Sequence, residues 1–363
     1  MKRIVICCDG TWSTPDQDEA GVPNPTNVSK LALAIRETDS AGTQQRVLYQ
    51  TGVGTGLWDR LPGGAFGSGI SAKIKEAYRF LISNFDPGDE LFLFGFSRGA
   101  YTARSVAGFV RNSGILRREY AAKIEDAFAL YRRRGPESHP RGTESSLFRR
   151  SFSHEAPIEM IGVWNTVGAL GIPGVRRFLY WWQQFHDVEL STRVAHAYHA
   201  VAIDERRRTF APTLWNRQPD APPEQVLEQV WFAGVHSDVG GGYPEPGLAD
   251  VAFAWIILKA EACGLALDLA RLGRIPFSPD PFAPMHDSRS AFYRVLPTVL
   301  REIGAAGSEQ AAADTAVSRM HDARAGGYRP PNLEDFVVTR RGAVAAVAER
   351  IANRAAGSRG SIA

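Results

Sequence analysis

Cysteine is scarce in this chain. Three stand among its 363 residues, Cys7, Cys8 and Cys263, and two adjacent thiols with one distant partner make neither a disulfide framework nor a four-ligand zinc cage. Charge of one sign is lacking too. Forty-two Lys and Arg against 39 Asp and Glu leave a net +3, too small an excess for a dedicated nucleic-acid binder. Long apolar runs are also missing: Val251 to Leu258 falls well short of the roughly 20 residues a membrane-spanning helix needs. Met1-Lys2-Arg3 carries the charge of a signal peptide, but only Ile4 to Cys8 follow before Asp9, too short a core for a cleavable leader. The expectation is a chain without a transmembrane segment, either cytoplasmic or exported without a cleavable signal.

What remains is ordinary globular composition, 44% hydrophobic and 22% charged, arranged as strand-like runs alternating with helix-like ones. Arg3–Cys8, Arg46–Gln50, Glu90–Phe94, Ile158–Trp164 and Gln229–Val235 are short, apolar and bounded by turn residues, as buried strands are. Between them Ile70, Ile74, Ala77, Tyr78, Leu81 and Phe85 recur at helical spacing, and Ala100–Ser113 reads as a helix stopped by Gly114. A helix is also predicted around Val194–Ile203, and a strongly apolar one over Leu248–Glu261. Such alternation implies an α/β fold with a mostly parallel sheet and helices on both faces. Residues 1–300 are assigned to one domain, with insertions at 117–155 and 171–228 forming a helical cap. Residues 301–363 are assigned to an Ala- and Arg-rich C-terminal extension without chemistry.

Gly95-Phe96-Ser97-Arg98-Gly99 fits G-x-S-x-G in the context that gives the pattern meaning. A hydrophobic strand runs into the first glycine and a helix leaves the second, so the serine hydroxyl projects above the sheet. A serine of ordinary acidity needs a base. In this arrangement the chain order is Ser, acid, His, each after a strand, and His236 follows Gln229–Val235 and precedes a run of glycines. The acid is the exception: the intervening strand ends Val163-Trp164-Asn165, and an amide cannot stabilise an imidazolium. In the serine-protease template that exchange costs about 10⁴ in turnover. The N–H of Arg98, at the start of the following helix, suits an oxyanion donor. Gly10 or Thr11, after the first strand, is the candidate for the second donor, while Asp9 capping its own turn is the plainer reading of that segment.

Six segments in order resemble the family called domain of unknown function 2235: DGTW from Asp9, YQTGVGTG from Tyr49, GFSRGAYTAR around Ser97, GVWNTVGALG around Asn165, HAVAIDERRRTFAPTLW from His199, and VWFAGVHSDVGGGY around His236. The resemblance runs from Lys2 to about Lys259. That family is similar to α/β-hydrolases and contains type VI secretion phospholipase effectors. The resemblance therefore implies an α/β-hydrolase-like fold, a Ser97 nucleophile, a His236 base and an ester or phospholipid substrate. It also places Asn165 where the family usually has aspartate. If another carboxylate serves instead, Asp204 in the IDERR segment and Asp238, two residues past His236, are the candidates. The rival reading is a non-catalytic binding or scaffold protein on the same fold.

Other signals lead elsewhere or nowhere. Gly67-Ser68-Gly69 with Ala72 echoes a dinucleotide loop, but no strand precedes it. His186-Asp187 and the Asp238 region lack metal-ligand spacing, so neither cofactor nor metal is expected. The arginine clusters 132–134, 149–150 and 206–208 read as solvated faces, or as a basic mouth meeting anionic head groups at a membrane surface. The aromatics from Phe178 to Phe185 read first as cap packing and second as an acyl-binding wall.

Overall fold

Strands buried on both faces need backbone partners on both sides and apolar side chains pointing both ways, and the short runs above meet both demands. The computed structural model describes residues 1–10, 18–19, 22–52, 65–167, 189–273, 275–289, 297–304, 309–348 and 351. Eight strands form one sheet: β1 (Arg3–Cys8), β2 (Gln45–Gln50), β3 (Glu90–Phe96), β4 (Ile158–Trp164), β5 (Val194–Ala202), β6 (Val226–Phe232), β7 (Gln310–Ala313) and β8 (Val344–Ala345). Their order across the sheet is β8-β7-β6-β5-β4-β3-β1-β2, and every neighbouring pair is parallel. The fold is α/β with helices on both sides.

The helices among the described residues include α1 (Asn27–Ala34), α2 (Ala65–Asn84), α3 (Arg98–Ser113), α4 (Ile124–Arg132), α5 (Thr143–Phe152), α6 (His236–Gly240), α7 (Gly247–Ala262) and α8 (Asp314–His321). Alternation along β1 and β3 divides the core. Val5, Cys7, Phe92, Phe94 and Phe96 pack with α1 and α7, while Ile4, Ile6, Leu91 and Leu93 pack with α2 and α3. A buried ion pair, Lys30 to Asp250 at 2.7 Å, joins α1 to α7. No described helix is long and apolar enough to cross a membrane.

From β1 the chain crosses to β2 on one side, and β3 then lies on the other. The crossovers diverge there, and in open parallel sheets the crevice at the carboxyl edge of such a reversal is where ligands bind. The register sets Cys8 beside Gly95 and Phe96 beside Trp164. Asp9, Ser97 and Asn165 therefore leave three adjacent strands at that one edge.

Two expectations need correction. The helix predicted around Val194–Ile203 is strand β5, paired on both sides through contacts such as Met160 with His196 and Val230 with Ala200. Ala195, Ala197, Ala200 and Ala202 favour helix in isolation. A slot between two strands that each need a partner outweighs propensities of a few tenths of a kcal/mol per residue. Residues after 300 are likewise no appendage: β7 and β8 extend the sheet beyond β6.

Of the two segments expected as a cap, 117–155 packs along α3. Ser113 Oγ donates to the Ala127 carbonyl, Arg149 donates to the Asn112 carbonyl, and Tyr131 lies against Gly108. In the second segment, residues 171–188 with the aromatics Phe178 to Phe185 and His186-Asp187 lie outside the described residues. The Gly67-Ser68-Gly69 stretch falls within α2 rather than in a loop ahead of it.

Candidate active site

Ser97 occupies the single residue between β3 and α3, at φ 57° and ψ −118°. A side chain in that region costs of order 1–3 kcal/mol, and such strain persists only where the surroundings impose it. Two backbone hydrogen bonds do so: the Ser97 N–H donates to the Trp164 carbonyl at 3.1 Å, and the Tyr101 N–H donates to the Ser97 carbonyl at 3.3 Å. The flanking glycines are required sterically. A Cβ on Gly95 would lie 2.5 Å from the Gly99 carbonyl oxygen, and one on Gly99 would lie 2.5 Å from the Asp9 oxygen and closer still to that of Cys8. The turn therefore presses the start of α3 onto the end of β1 and turns Ser97 out at the sheet edge.

His236 opens α6, four residues beyond the end of β6, and is buried. Asn27 Nδ2 holds the Val239 carbonyl at 2.9 Å and so seats α6 against α1. The imidazole lies between two rings, Phe96 with centroids 4.7 Å apart and Phe210 edge-on at 4.9 Å. Phe96 precedes Ser97, so the residue before the serine touches the histidine.

Asn165 follows β4 and is fully buried, at φ 39°. Its Oδ1 accepts from Arg301 Nη1 at 2.9 Å and from the Ala202 N–H at 3.3 Å, and its Nδ2 faces His236 Nδ1. The two donors on Oδ1 fix the amide orientation. Its NH₂ group can only donate, so Nδ1 of the imidazole must accept and the ring proton must sit on Nε2. A general base for the serine needs the opposite tautomer, with its lone pair on Nε2.

Burial pushes His236 down to about 3, and the charges of Arg207, Arg301 and Arg98 act in the same direction against an opposing pull from Glu205. Glu205 is itself buried. Its Oε2 accepts the His236 backbone N–H at 3.3 Å, its Oε1 accepts from Ser288 Oγ at 3.0 Å, and Arg207 donates to both oxygens. Burial alone would raise this carboxyl, but the Arg207 contacts outweigh it and hold it at about 2. Arg207 also stacks over the Phe210 ring at 3.5 Å, so part of the 206–208 cluster faces the site.

Arg301 and Glu205 were not anticipated. Arg301 comes from the segment expected to carry no chemistry, yet it is buried and also donates to the carbonyls of Ala202 and Phe210, each at 2.6 Å. Glu205 is the neighbour of the candidate Asp204, and the turn after β5 points it inward. Asp204 instead accepts from the Gly234 N–H at 2.7 Å and the Tyr328 hydroxyl at 2.9 Å, and burial pushes it up to about 6. Asp238 accepts from the Val235 N–H at 2.9 Å and pairs with His286 Nδ1 at 2.6 Å. Among the described residues neither alternative acid is hydrogen-bonded to the His236 imidazole.

Gly10 also differs from the expectation of an oxyanion donor, because its N–H donates to Asp9 Oδ1 at 2.6 Å. The other Asp9 oxygen accepts from Thr26 at 2.7 Å and Tyr49 at 2.6 Å, and burial pushes this carboxyl up to about 6. Thr11 lies outside the described residues. Arg98, by contrast, is the first residue of α3, at the positive end of the helix dipole and next to the serine.

The family model "T6SS, Phospholipase effector Tle1-like, catalytic domain" matches residues 2–259. An uncharacterized protein of Saccharomyces cerevisiae is 29% identical over 243 residues, which are 61% of this chain and 34% of that one. Among solved structures, an uncharacterized protein from Pseudomonas aeruginosa is similar at 18% identity and a TM-score of 0.48, over 77% of this chain and 49% of its own. The Tle1 effector bound to the VgrG spike of the type 6 secretion system is similar at 19% identity and a TM-score of 0.35, over 67% and 51%. This chain thus spans from about a third to about half of the length of these relatives.

Proposed function

We propose that this chain, which belongs to the family of Tle1-like type VI secretion phospholipase effector catalytic domains, is a serine hydrolase of carboxylic esters, with phospholipids as its substrate class. The observation that carries the reading is the backbone of Ser97, held at φ 57° between β3 and α3 by glycines that no larger residue can replace. Ser97 Oγ attacks the ester carbonyl carbon, and His236, once its ring proton has moved from Nε2 to Nδ1 against the preference set by Asn165, takes the hydroxyl proton on Nε2 and returns it to the departing alkoxide. Water then releases the acyl group by the same proton path in reverse. The N–H of Arg98 holds the oxyanion. With the Gly10 N–H committed to Asp9, Thr11 is the remaining candidate for the second donor. Arg98, next to Ser97, favours an anionic head group and contact with a membrane surface, whereas the charge of Arg207 is already paired with Glu205.

Asn165 supports a second reading. An amide that fixes the imidazole in the wrong tautomer suits a protein that binds a lipid or ester without turning it over. Fluorophosphonate labelling beside p-nitrophenyl ester turnover separates the two. Labelling that Ser97→Ala abolishes, together with a loss of at least about 10³ in turnover, is the outcome for an enzyme. Absence of labelling in the parent chain favours the binding protein.

The pH profile follows from the depressed histidine. The base works only when neutral, so the rate falls as pH drops through its pKa. With His236 near 3, kcat/KM should stay level from about pH 8 to pH 5 rather than fall near the ordinary histidine value of about 6.5. A descending limb centred near 6.5 in the parent chain would show that the imidazole is not buried and neutral as described.

A further inference from the structure

The edge of the sheet opposite Ser97 brings together three residues that are far apart in sequence. Glu159 is near the amino end of β4, His196 is near the amino end of β5, and Cys263 caps the carboxyl end of α7. Parallel strands start at the same edge, and a helix returning from the opposite edge ends there, so the topology itself assembles the group. One potential ligand atom from each of the three lies within 4.8 Å of the others. His196 Nδ1 stands 3.2 Å from Glu159 Oε1, close to the separation of roughly 3.4 Å expected for two ligands on one tetrahedral ion with bonds near 2.0–2.1 Å.

The donor set is selective. An imidazole and a thiolate disfavour Ca²⁺ and Mg²⁺, which take oxygen, and suit the borderline ion Zn²⁺. A thiolate and a carboxylate together neutralise its two charges. Lys259, which lies over the Tyr198 ring beside the group, is paired with Glu228 at 2.5 Å, and that offsets its repulsion of a cation. All three candidate ligands are partly exposed, so an ion reaches them without unfolding the core.

We propose that Glu159, His196 and Cys263 form a zinc site at the amino edge of the sheet, completed by water, which clamps the end of α7 to β4 and β5. Three protein ligands with one open position leave the ion exchangeable. The site is separate from the ester chemistry and tied to it only through the shared sheet.

The test is titration of the full chain, stripped with chelator, with Zn²⁺ in competition with a chromophoric chelator, alongside His196→Ala and Cys263→Ser. The parent should hold one ion with a Kd below about 10 μM, and each variant should bind at least tenfold more weakly. Co²⁺ as a spectroscopic substitute should give a thiolate-to-metal charge-transfer band in the parent that Cys263→Ser lacks. Thermal unfolding of the variants, measured without metal, confirms that they are folded, and ester turnover should match the parent in both. Binding weaker than that threshold, or equal affinity in all three proteins, overturns the proposal, the second result because the ion then sits elsewhere. A hydrogen-bonded pair of His196 and Glu159 without a metal role would leave the Co²⁺ spectrum insensitive to Cys263.

Discussion

Asn165→Asp is expected to raise kcat for ester hydrolysis by roughly 10³- to 10⁴-fold with little change in KM, the size of the reverse exchange in the serine-protease template. The site already holds what an aspartate would need. Arg301 and the Ala202 N–H would keep one carboxylate oxygen, as they now keep Oδ1 of the amide. The second oxygen would replace Nδ2 opposite His236 Nδ1 and accept the ring proton, leaving the Nε2 lone pair for Ser97. Burying a lone charge there would cost several kcal/mol, but Arg301 is within hydrogen-bond reach to pair with it, and charge-assisted bonds are about twice as strong as neutral ones. Burial has already brought Arg301 down to about 10, and a carboxylate beside it removes part of that penalty. The imidazolium would gain a counter-charge, so His236 should rise from about 3 and an acid limb should appear in the variant's pH profile. Equal turnover in the two proteins, with Ser97 labelled in both, would remove position 165 from the mechanism.

Much of the candidate site was legible because its strongest signal is local. The strand, the turn and the helix around Ser97 occupy one continuous segment, and close packing at the turn dictates both glycines of G-x-S-x-G. The candidate His236 was legible for a related reason, since it follows an apolar run bounded by turn residues, which reads as a strand. The parts that were missed depend on contacts distant in sequence. Arg301 reaches Asn165 across 136 positions, and nothing around Arg301 marks it as buried. Glu205 and Asp204 differ by one place in the chain, and only the turn after β5 decides which one faces His236. The misread of β5 has the same origin: its alanines report helical propensity, while its pairing with β4 and β6 is decided by segments elsewhere. Here local chemistry named the candidate serine, and tertiary structure chose the groups that surround the candidate histidine.

Gly99→Ala is expected to destabilise the fold by about 3 kcal/mol or more, at the upper end of the range for overpacking. Helix propensity alone predicts the opposite, because alanine is favoured over glycine inside a helix by about 1 kcal/mol. Gly108, in the same helix α3, serves as the control. The atoms nearest a Cβ there belong to the Tyr131 side chain, a ring carbon and the hydroxyl oxygen at 3.3 Å, and a side chain can give way by a few tenths of an ångström. At Gly99 the obstacles are the carbonyls of Cys8 and Asp9. These end a strand hydrogen-bonded on both sides, to β2 and β3, and they can move only if the sheet opens or α3 lifts away. Urea unfolding should therefore show a much lower midpoint for Gly99→Ala at unchanged m, and Gly108→Ala within about 1 kcal/mol of the parent. Equal midpoints for the two variants would mean that β1 and α3 do not need their close approach. In the folded fraction of Gly99→Ala the same displacement shifts the start of α3 and the Arg98 N–H relative to Ser97. Turnover should then fall by more than the loss of folded protein accounts for, which ties the strain at the serine to the packing that imposes it.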